Sequence, residues 1–350
     1  MTRIPRPRRT FAALVACGAL TTAVASCGEL EETGEAVKTR DQVTLVLDYF
    51  PNANHAAIYA AQSTGAFERA GLDVTIQPPN DASTPLKTLE AGQADFVVSY
   101  EPEVLLARDK GSKIQAVQAL VQTPLTAVIS LAKKPIRTAE NFENTTIGTA
   151  GLPSQAAYLE TILSEGRVDP AKVKRVDLGF NLTQPLVAGR VDASLGAFWN
   201  YEAIQLQREK KSPVTVKIED LGVPTYNELV LTSTEETVRS RGPLVRRMVQ
   251  AIGFGAKAVQ KDPTVGVDAV MAAGGKGLDR GLQEASLEAT LPVMFPKDTE
   301  HPFGWMDSIE WAQYARWMET HELITTSRVS ARAITNEYLA GEGVGDKTSS

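Results

Sequence analysis

Leu89-Glu-Ala-Gly-Gln-Ala-Asp95 returns 97 positions later as Leu186-Val-Ala-Gly-Arg-Val-Asp192, with Leu, Ala, Gly and Asp at matching spacing. In each copy a short helical segment runs to a glycine, the residue that most readily ends a helix in left-handed backbone, and an aspartate opens the next apolar run. Around the first copy, strands over 43–47, 72–76, 96–98 and 114–120 alternate with helices that Gly65, Gly92 and Gly111 terminate. Around the second, strands over 146–148, 173–178 and 193–196 alternate with helices over 153–163, 182–188 and 199–208. Repeated strand–helix units with short connections predict an α/β fold with largely parallel sheets covered on both faces. Two copies of one design predict two similar lobes with a cleft between them. Chance is the alternative for a seven-residue match, and the agreeing element order argues against it. The first lobe is expected over 43–131, the second over 132–232, and a mostly helical return to the first over 233–340, with a frayed tail at 341–350.

The bulk numbers agree with this size. The chain has 350 residues, 43% hydrophobic and 22% charged, enough for one large or two medium cores. Its formal net charge is -6, although Arg3, Arg6, Arg8 and Arg9 stand without any acid in the first 26 residues, so the remainder is more acidic than the total. An acidic body without basic runs argues against nucleic acid as a partner.

The basic stretch Met1–Thr10 and the apolar run Phe11–Val24 have the layout of an export signal. Val24-Ala-Ser-Cys27-Gly28 resembles the bacterial lipobox, so residues 1–26 are expected to be removed and Cys27 to carry lipid. A plain secretory signal or an uncleaved anchor is the alternative. Residues 27–42 read as a flexible tether. The other cysteine, Cys17, lies within the apolar run, which leaves the folded body without a disulfide, a cysteine-ligated metal or a cysteine nucleophile.

Candidate site residues gather where strands end. Leu45-Val-Leu-Asp-Tyr-Phe-Pro-Asn-Ala-Asn-His55 opens as a buried strand, breaks at Pro51-Asn52 and resumes as a helix. Asp48, Tyr49, Asn52 and His55 thus meet at a strand-to-helix corner, the place where ligands bind in open α/β sheets. Ser99 and Tyr100 follow the strand at 96, Gly151 and Ser154 the strand at 146, and Trp199, Tyr201 and Glu202 the strand at 193. Simpler roles suit the same residues: Asn52 or Asn54 as a helix cap, His55 as a first-turn histidine, Glu202 as an acid favoured by the helix dipole. As a set they suit a small, flat, amino-bearing heterocycle. Aromatic faces sandwich a ring, carboxylates accept from its amino groups, and the N–H groups of 151–154 meet an acceptor. Enzyme motifs such as Gly-x-Ser-x-Gly, a phosphate loop or His-Glu-x-x-His are absent from the sequence, and no metal or cofactor is expected.

Four pieces carry a resemblance: Asp48-Tyr-Phe-Pro-Asn-Ala-Asn-His55, Gly65-Ala-Phe-Glu-Arg-Ala-Gly-Leu-Asp-Val74, the Ala-Gly-x-x-Asp ending at Asp95, and Trp199-Asn-Tyr-Glu202. Together they resemble the family that joins bacterial thiamine-pyrimidine binding proteins with fungal thiamine-pyrimidine synthases, over most of 43–338. The resemblance implies a type 2 periplasmic-binding-protein fold, two α/β lobes with mixed sheets joined by a two-crossover hinge. It also implies a protein that serves an ABC permease and takes formylaminopyrimidine or hydroxymethylpyrimidine; with the lipobox, an extracytoplasmic, lipid-anchored monomer is expected. On that pattern Tyr49 with Trp199 or Tyr201 packs on the ring, and Asp48 and Glu202 meet its amino group or ring nitrogen. Asn52, His55, Ser154 and Asn227 complete the polar shell. The synthase branch fits less well: Ser99 stands where those enzymes carry a pyridoxal-phosphate lysine, and Val223-Pro-Thr-Tyr-Asn227 where they carry a cysteine-rich iron-binding run. Riboflavin, a sulfonate or nitrate are the other ligands considered for this fold, and Asp48 with Glu202 would repel the anions.

Overall fold

Among the described residues, ten strands build two five-stranded sheets. The computed structural model describes residues 40–341, so the export signal, Cys27, most of the tether and nearly all of the tail lie outside the described residues. The first sheet contains β1 (Asp41–Val46), β2 (Leu72–Gln77), β3 (Phe96–Ser99) and β4 (Ile114–Val121); the second contains β5 (Thr126–Leu131), β6 (Thr146–Thr149), β7 (Lys174–Asp177), β8 (Ala193–Phe198) and β9 (Pro213–Lys217). Strand β10 (Leu229–Thr234) returns to the first. The orders are β2-β1-β3-β10-β4 and β7-β6-β8-β5-β9. In each, three strands run parallel and the strand beside them is antiparallel to both of its neighbours. This is the pair of mixed sheets that the resemblance implies.

Both lobe boundaries move from where the sequence reading puts them. Residues 126–131 are expected in the first lobe, yet β5 pairs with β8 and β9 of the second sheet. The second lobe is expected to run to 232, yet β10 pairs with β3 and β4. Each of these strands follows a crossover and slots between strands of the sheet it has just reached. A fully buried strand reads as a continuous apolar run, and such a run does not say which sheet it completes.

The repeated motif has a concrete job. Gly92 and Gly189 take the left-handed conformation at φ 68° and 71°. The aspartate three residues on then closes a two-point link to the neighbouring parallel strand. The Asp95 N–H donates to Thr44 O at 3.0 Å and its Oδ2 accepts from the Thr44 N–H at 2.9 Å. In the second lobe the Asp192 N–H donates to Thr146 O at 2.7 Å and its Oδ2 accepts from the Thr146 N–H at 2.8 Å. Each carboxylate also pairs with a cation, Arg241 and Lys134 respectively, both at 2.9 Å. The motif therefore starts the β1/β3 and β6/β8 pairings at the register that buries their apolar faces.

The alanine-rich helix Ala56–Ser63 explains its own composition. It crosses the long helix Gly242–Lys261 so closely that a Cβ on Gly255 would stand 2.1 Å from Ala57 O. Small residues on both sides are what permit that approach. The return segment thus caps the first lobe, burying Leu244, Val245, Met248 and Ile252 in the core that also holds Leu45, Leu47 and Phe96. Among the described residues no helix is long and apolar enough to cross a membrane.

Asp95→Ala and Asp192→Ala are expected to lower stability by about 1–2 kcal/mol each, the cost of stranding a partly buried N–H. Urea unfolding of the two single variants and the double variant checks this, with the two losses close to additive because the sites are far apart.

Candidate functional site

The first corner is held by its own side chains. Asn52 caps the turn Ala53–His55, its Oδ1 accepting from the Asn54 N–H at 2.8 Å. The Asn52 N–H donates to His55 Nδ1 at 3.3 Å, which leaves the ring proton on Nε2, 2.8 Å from Asp48 Oδ1. Tyr100 OH donates to Asp48 Oδ2 at 2.9 Å. A donor on each oxygen fixes the Asp48 carboxylate, and the fully buried His55 stands behind it.

The second lobe supplies the facing wall. After β8 the chain turns through Trp199-Asn-Tyr201 into the helix Glu202–Arg208, and Glu202 Oε2 accepts from the Phe198 N–H at 2.8 Å. Burial pushes the Glu202 carboxyl up to about 7, partly offset by that hydrogen bond. Ser154 opens the helix Pro153–Glu165, and Gln155 beside it lies against Gly196, where a Cβ would stand 2.1 Å from Gln155 Nε2. Gly196, at φ 100°, is thus required by both backbone and space.

Several hydrogen bonds tie the lobes together in a closed arrangement. Tyr49 OH donates to Phe180 O at 3.1 Å, and the two rings meet edge-on with centroids 4.7 Å apart. The Ser154 N–H donates to Glu103 Oε1 at 3.2 Å. Asn200, with no exposed surface, donates from Nδ2 to Asn54 Oδ1 at 2.7 Å. Gln283 Nε2 donates to Tyr201 OH at 3.0 Å.

Between the lobes lies a cleft of about 660 Å³, its mouth included. Of the predicted residues, Asp48, Tyr49, Asn52, Tyr100, Ser154, Tyr201 and Glu202 line it. Five do not, each for a visible reason. His55 is hidden behind Asp48. Ser99 and Gly151 border a neighbouring cavity that shares Tyr100 and Leu152 with the cleft. Trp199 turns away, its Nε1 donating to Pro124 O at 2.9 Å and its ring covered by Lys217 at 4.4 Å. Asn227 is spent within the protein, donating from Nδ2 to Gln122 O at 3.1 Å and accepting from Trp311 Nε1 at 2.8 Å.

Residues the sequence reading passes over complete the lining, chiefly Phe180, Gln155, Tyr158, Tyr226 and Glu228. Glu228 is 2% exposed and stands where the two crossovers meet. It accepts from the Leu125 N–H at 2.6 Å, the Thr126 N–H at 2.9 Å, Thr126 Oγ1 at 3.1 Å and Tyr226 OH at 3.2 Å. Its signal in the sequence is an acid directly ahead of the apolar run Leu229-Val-Leu231. Desolvation pushes its carboxyl from 4.5 up to about 7 despite those donors.

A family model described as NMT1/THI5 like matches residues 52–265. The formylaminopyrimidine-binding protein of Halalkalibacterium halodurans is 30% identical over 305 residues, which covers 86% of this chain and 91% of that protein. A riboflavin-binding protein of Chloroflexus aurantiacus is 25% identical over 335 residues, 94% of this chain and 95% of that protein. Among solved structures, the alkanesulfonate-binding protein of Xanthomonas axonopodis pv. citri, bound to MOPS, superposes with a TM-score of 0.66 at 15% identity, covering 84% of this chain and 98% of that one. That likeness shows the same fold.

The raised Glu228 carboxyl binds its proton more tightly in the folded state than in the unfolded chain. Its contribution to stability is full below pH 4.5 and is lost as pH rises to about 7. Urea unfolding across that window should show wild type losing ~3 kcal/mol relative to Glu228→Gln, from about 1.4 kcal/mol per pH unit. Parallel curves for the two proteins would contradict it.

Proposed function

The chain belongs to the NMT1/THI5-like family, and on that premise we propose that it is the solute-binding component of an ABC importer. It captures a thiamine pyrimidine precursor, formylaminopyrimidine or hydroxymethylpyrimidine, by closing its two lobes. The observation that carries this reading is the make-up of the cleft wall. Asp48, Glu202 and Glu228 line it together with aromatic rings from both lobes, and no Lys or Arg is among the described lining residues. A sulfonate or nitrate there would face carboxylates at low dielectric without a counter-charge, whereas an amino-bearing ring brings N–H donors to them. Ring faces of Tyr49, Tyr100 and Tyr201 contact the heterocycle, Asp48 and Glu202 meet its amino group and ring nitrogen, and Asn52 and Ser154 complete the polar shell. His55 orients Asp48 from behind. Ser99 in β3 and the run Val223–Asn227 bring neither a lysine nor a cysteine, which favours binding over synthesis.

Capture works by population shift. Bonds such as Asn200–Asn54 and Tyr49–Phe180 join atoms of opposite lobes and exist only when the lobes are together, so a ligand that touches both walls favours the closed form that the permease reads. A lipid on Cys27 would hold the protein at the outer face of the cell membrane, beside that permease.

Thermal-shift screening of the protein against formylaminopyrimidine, hydroxymethylpyrimidine, riboflavin and taurine tests the ligand. A pyrimidine at a hundred times its Kd stabilises by about 2.7 kcal/mol. A melting temperature that rises with riboflavin and with no pyrimidine would overturn the ligand while leaving the fold untouched. Asn200→Ala tests the mechanism, since Asn200 is a lobe-to-lobe tie outside the cleft lining. Losing it is expected to weaken pyrimidine binding about 5- to 30-fold, equivalent to ~1–2 kcal/mol, mainly through faster dissociation.

A further inference from the structure

The three carboxylates of the cleft differ in how well the protein satisfies them. Glu228 accepts four hydrogen bonds. Asp48 accepts one on each oxygen, from His55 and Tyr100. Glu202 takes the Phe198 N–H on Oε2, with a smaller contribution from its own backbone N–H, and lines the cleft. The other ionisable groups that line the cleft are Asp48, Glu228, Tyr49, Tyr100, Tyr158, Tyr201 and Tyr226, none of them a cation. Cations on the elements packed against it are engaged elsewhere. Lys217 of β9 covers the Trp199 ring, Arg208 at the far end of its own helix pairs with Asp279, and Arg280 of the helix Arg280–Met294 pairs with Asp268 and Glu284.

A carboxylate half-buried in a cleft without counter-charge favours a proton or a cation. We propose that Glu202 meets this preference by sharing one proton with the ligand's ring nitrogen, so that the cleft takes up a proton with each ligand it binds above neutral pH. The inference rests on the reading of the cleft as a pyrimidine site. A 4-aminopyrimidine is weakly basic at the ring nitrogen para to its amino group, which feeds electron density to it. Protonated there, it presents an N–H donor that a carboxylate receives as a charge-assisted hydrogen bond. The proton comes from solvent and ends between Glu202 and that nitrogen, with no bond to carbon made or broken. The empty cleft is poised for this, because burial already pushes the Glu202 carboxyl up to about 7. The selectivity that follows is for amino-substituted heterocycles basic enough at a ring nitrogen to accept a proton. A flat ring of equal size whose nitrogen is not basic leaves Glu202 without a partner.

Titration calorimetry of the wild-type protein with formylaminopyrimidine at pH 8, in phosphate and in Tris, counts the protons from the difference in apparent heat. We expect uptake close to one proton per ligand, and a Kd that rises about tenfold per pH unit above 7. Glu202→Gln should abolish both the uptake and the slope, and a circular-dichroism melt shows that it is folded. In wild type, the absorption spectrum of the bound pyrimidine should be that of its protonated form. Tight binding with no uptake and a flat pH profile overturns the proton-sharing and leaves the proposed function standing. Full uptake in Glu202→Gln overturns the assignment to Glu202. Failure of every pyrimidine to bind overturns the proposed function and this inference with it.

Discussion

The molecule depends on one carboxylate at its waist. Two crossovers join the lobes, and Glu228 gathers them by accepting two backbone N–H groups from the first, at Leu125 and Thr126, while sitting on the second. Asn227 beside it adds a second stitch, its N–H donating to Glu101 at 2.7 Å and its side chain reaching Gln122 O. Strands β5 and β10 start within a few residues of this knot and enter opposite sheets. Both strand entries, and so both five-stranded sheets, are referred to one hydrogen-bonded point. The same carboxylate lines the cleft, which couples the hinge to whatever the cleft holds.

The cost of burying Glu228 is therefore part of the design of the site. Its donors satisfy the charge but do not cancel the loss of water, and its carboxyl remains raised. Glu202 repeats the situation from the second lobe with fewer donors. On the proposed reading, a cleft walled by carboxylates and aromatic rings prefers a flat ligand rich in N–H groups over an anion. Fold and ligand are separable here, because the sheets set where the walls stand and a few side chains set their charge.

Much of this was legible in the residues. The paired Leu-x-Ala-Gly-x-x-Asp motifs announced two lobes because a left-handed glycine and a strand-linking aspartate are local requirements, written in adjacent positions. The Asp48–His55 corner and the Glu202 turn were legible for the same reason: strand, break and cap follow one another along the chain. The helix-cap account of Asn52 and its place in the cleft both hold, since its side chain caps the turn while its residue lines the wall. Trp199, Asn227 and His55 misled because residue type tells what a side chain can do and not which way it points. Trp199 and Asn227 sit one position from residues that do line the cleft, and a single step in a turn reverses the facing.

What the sequence alone determined is whatever depends on neighbours in the chain: the alternation of strand and helix, the doubled lobe, the strand-to-helix corners that line the cleft, and the family. Tertiary structure alone decided which sheet β5 and β10 complete, that Glu228 and Phe180 reach the cleft, and how many donors each carboxylate receives. Those outcomes rest on contacts such as Leu125 with Glu228 and Tyr49 with Phe180, between residues more than 100 positions apart. Local propensity carries no information about such pairs; packing the two lobes against one another does.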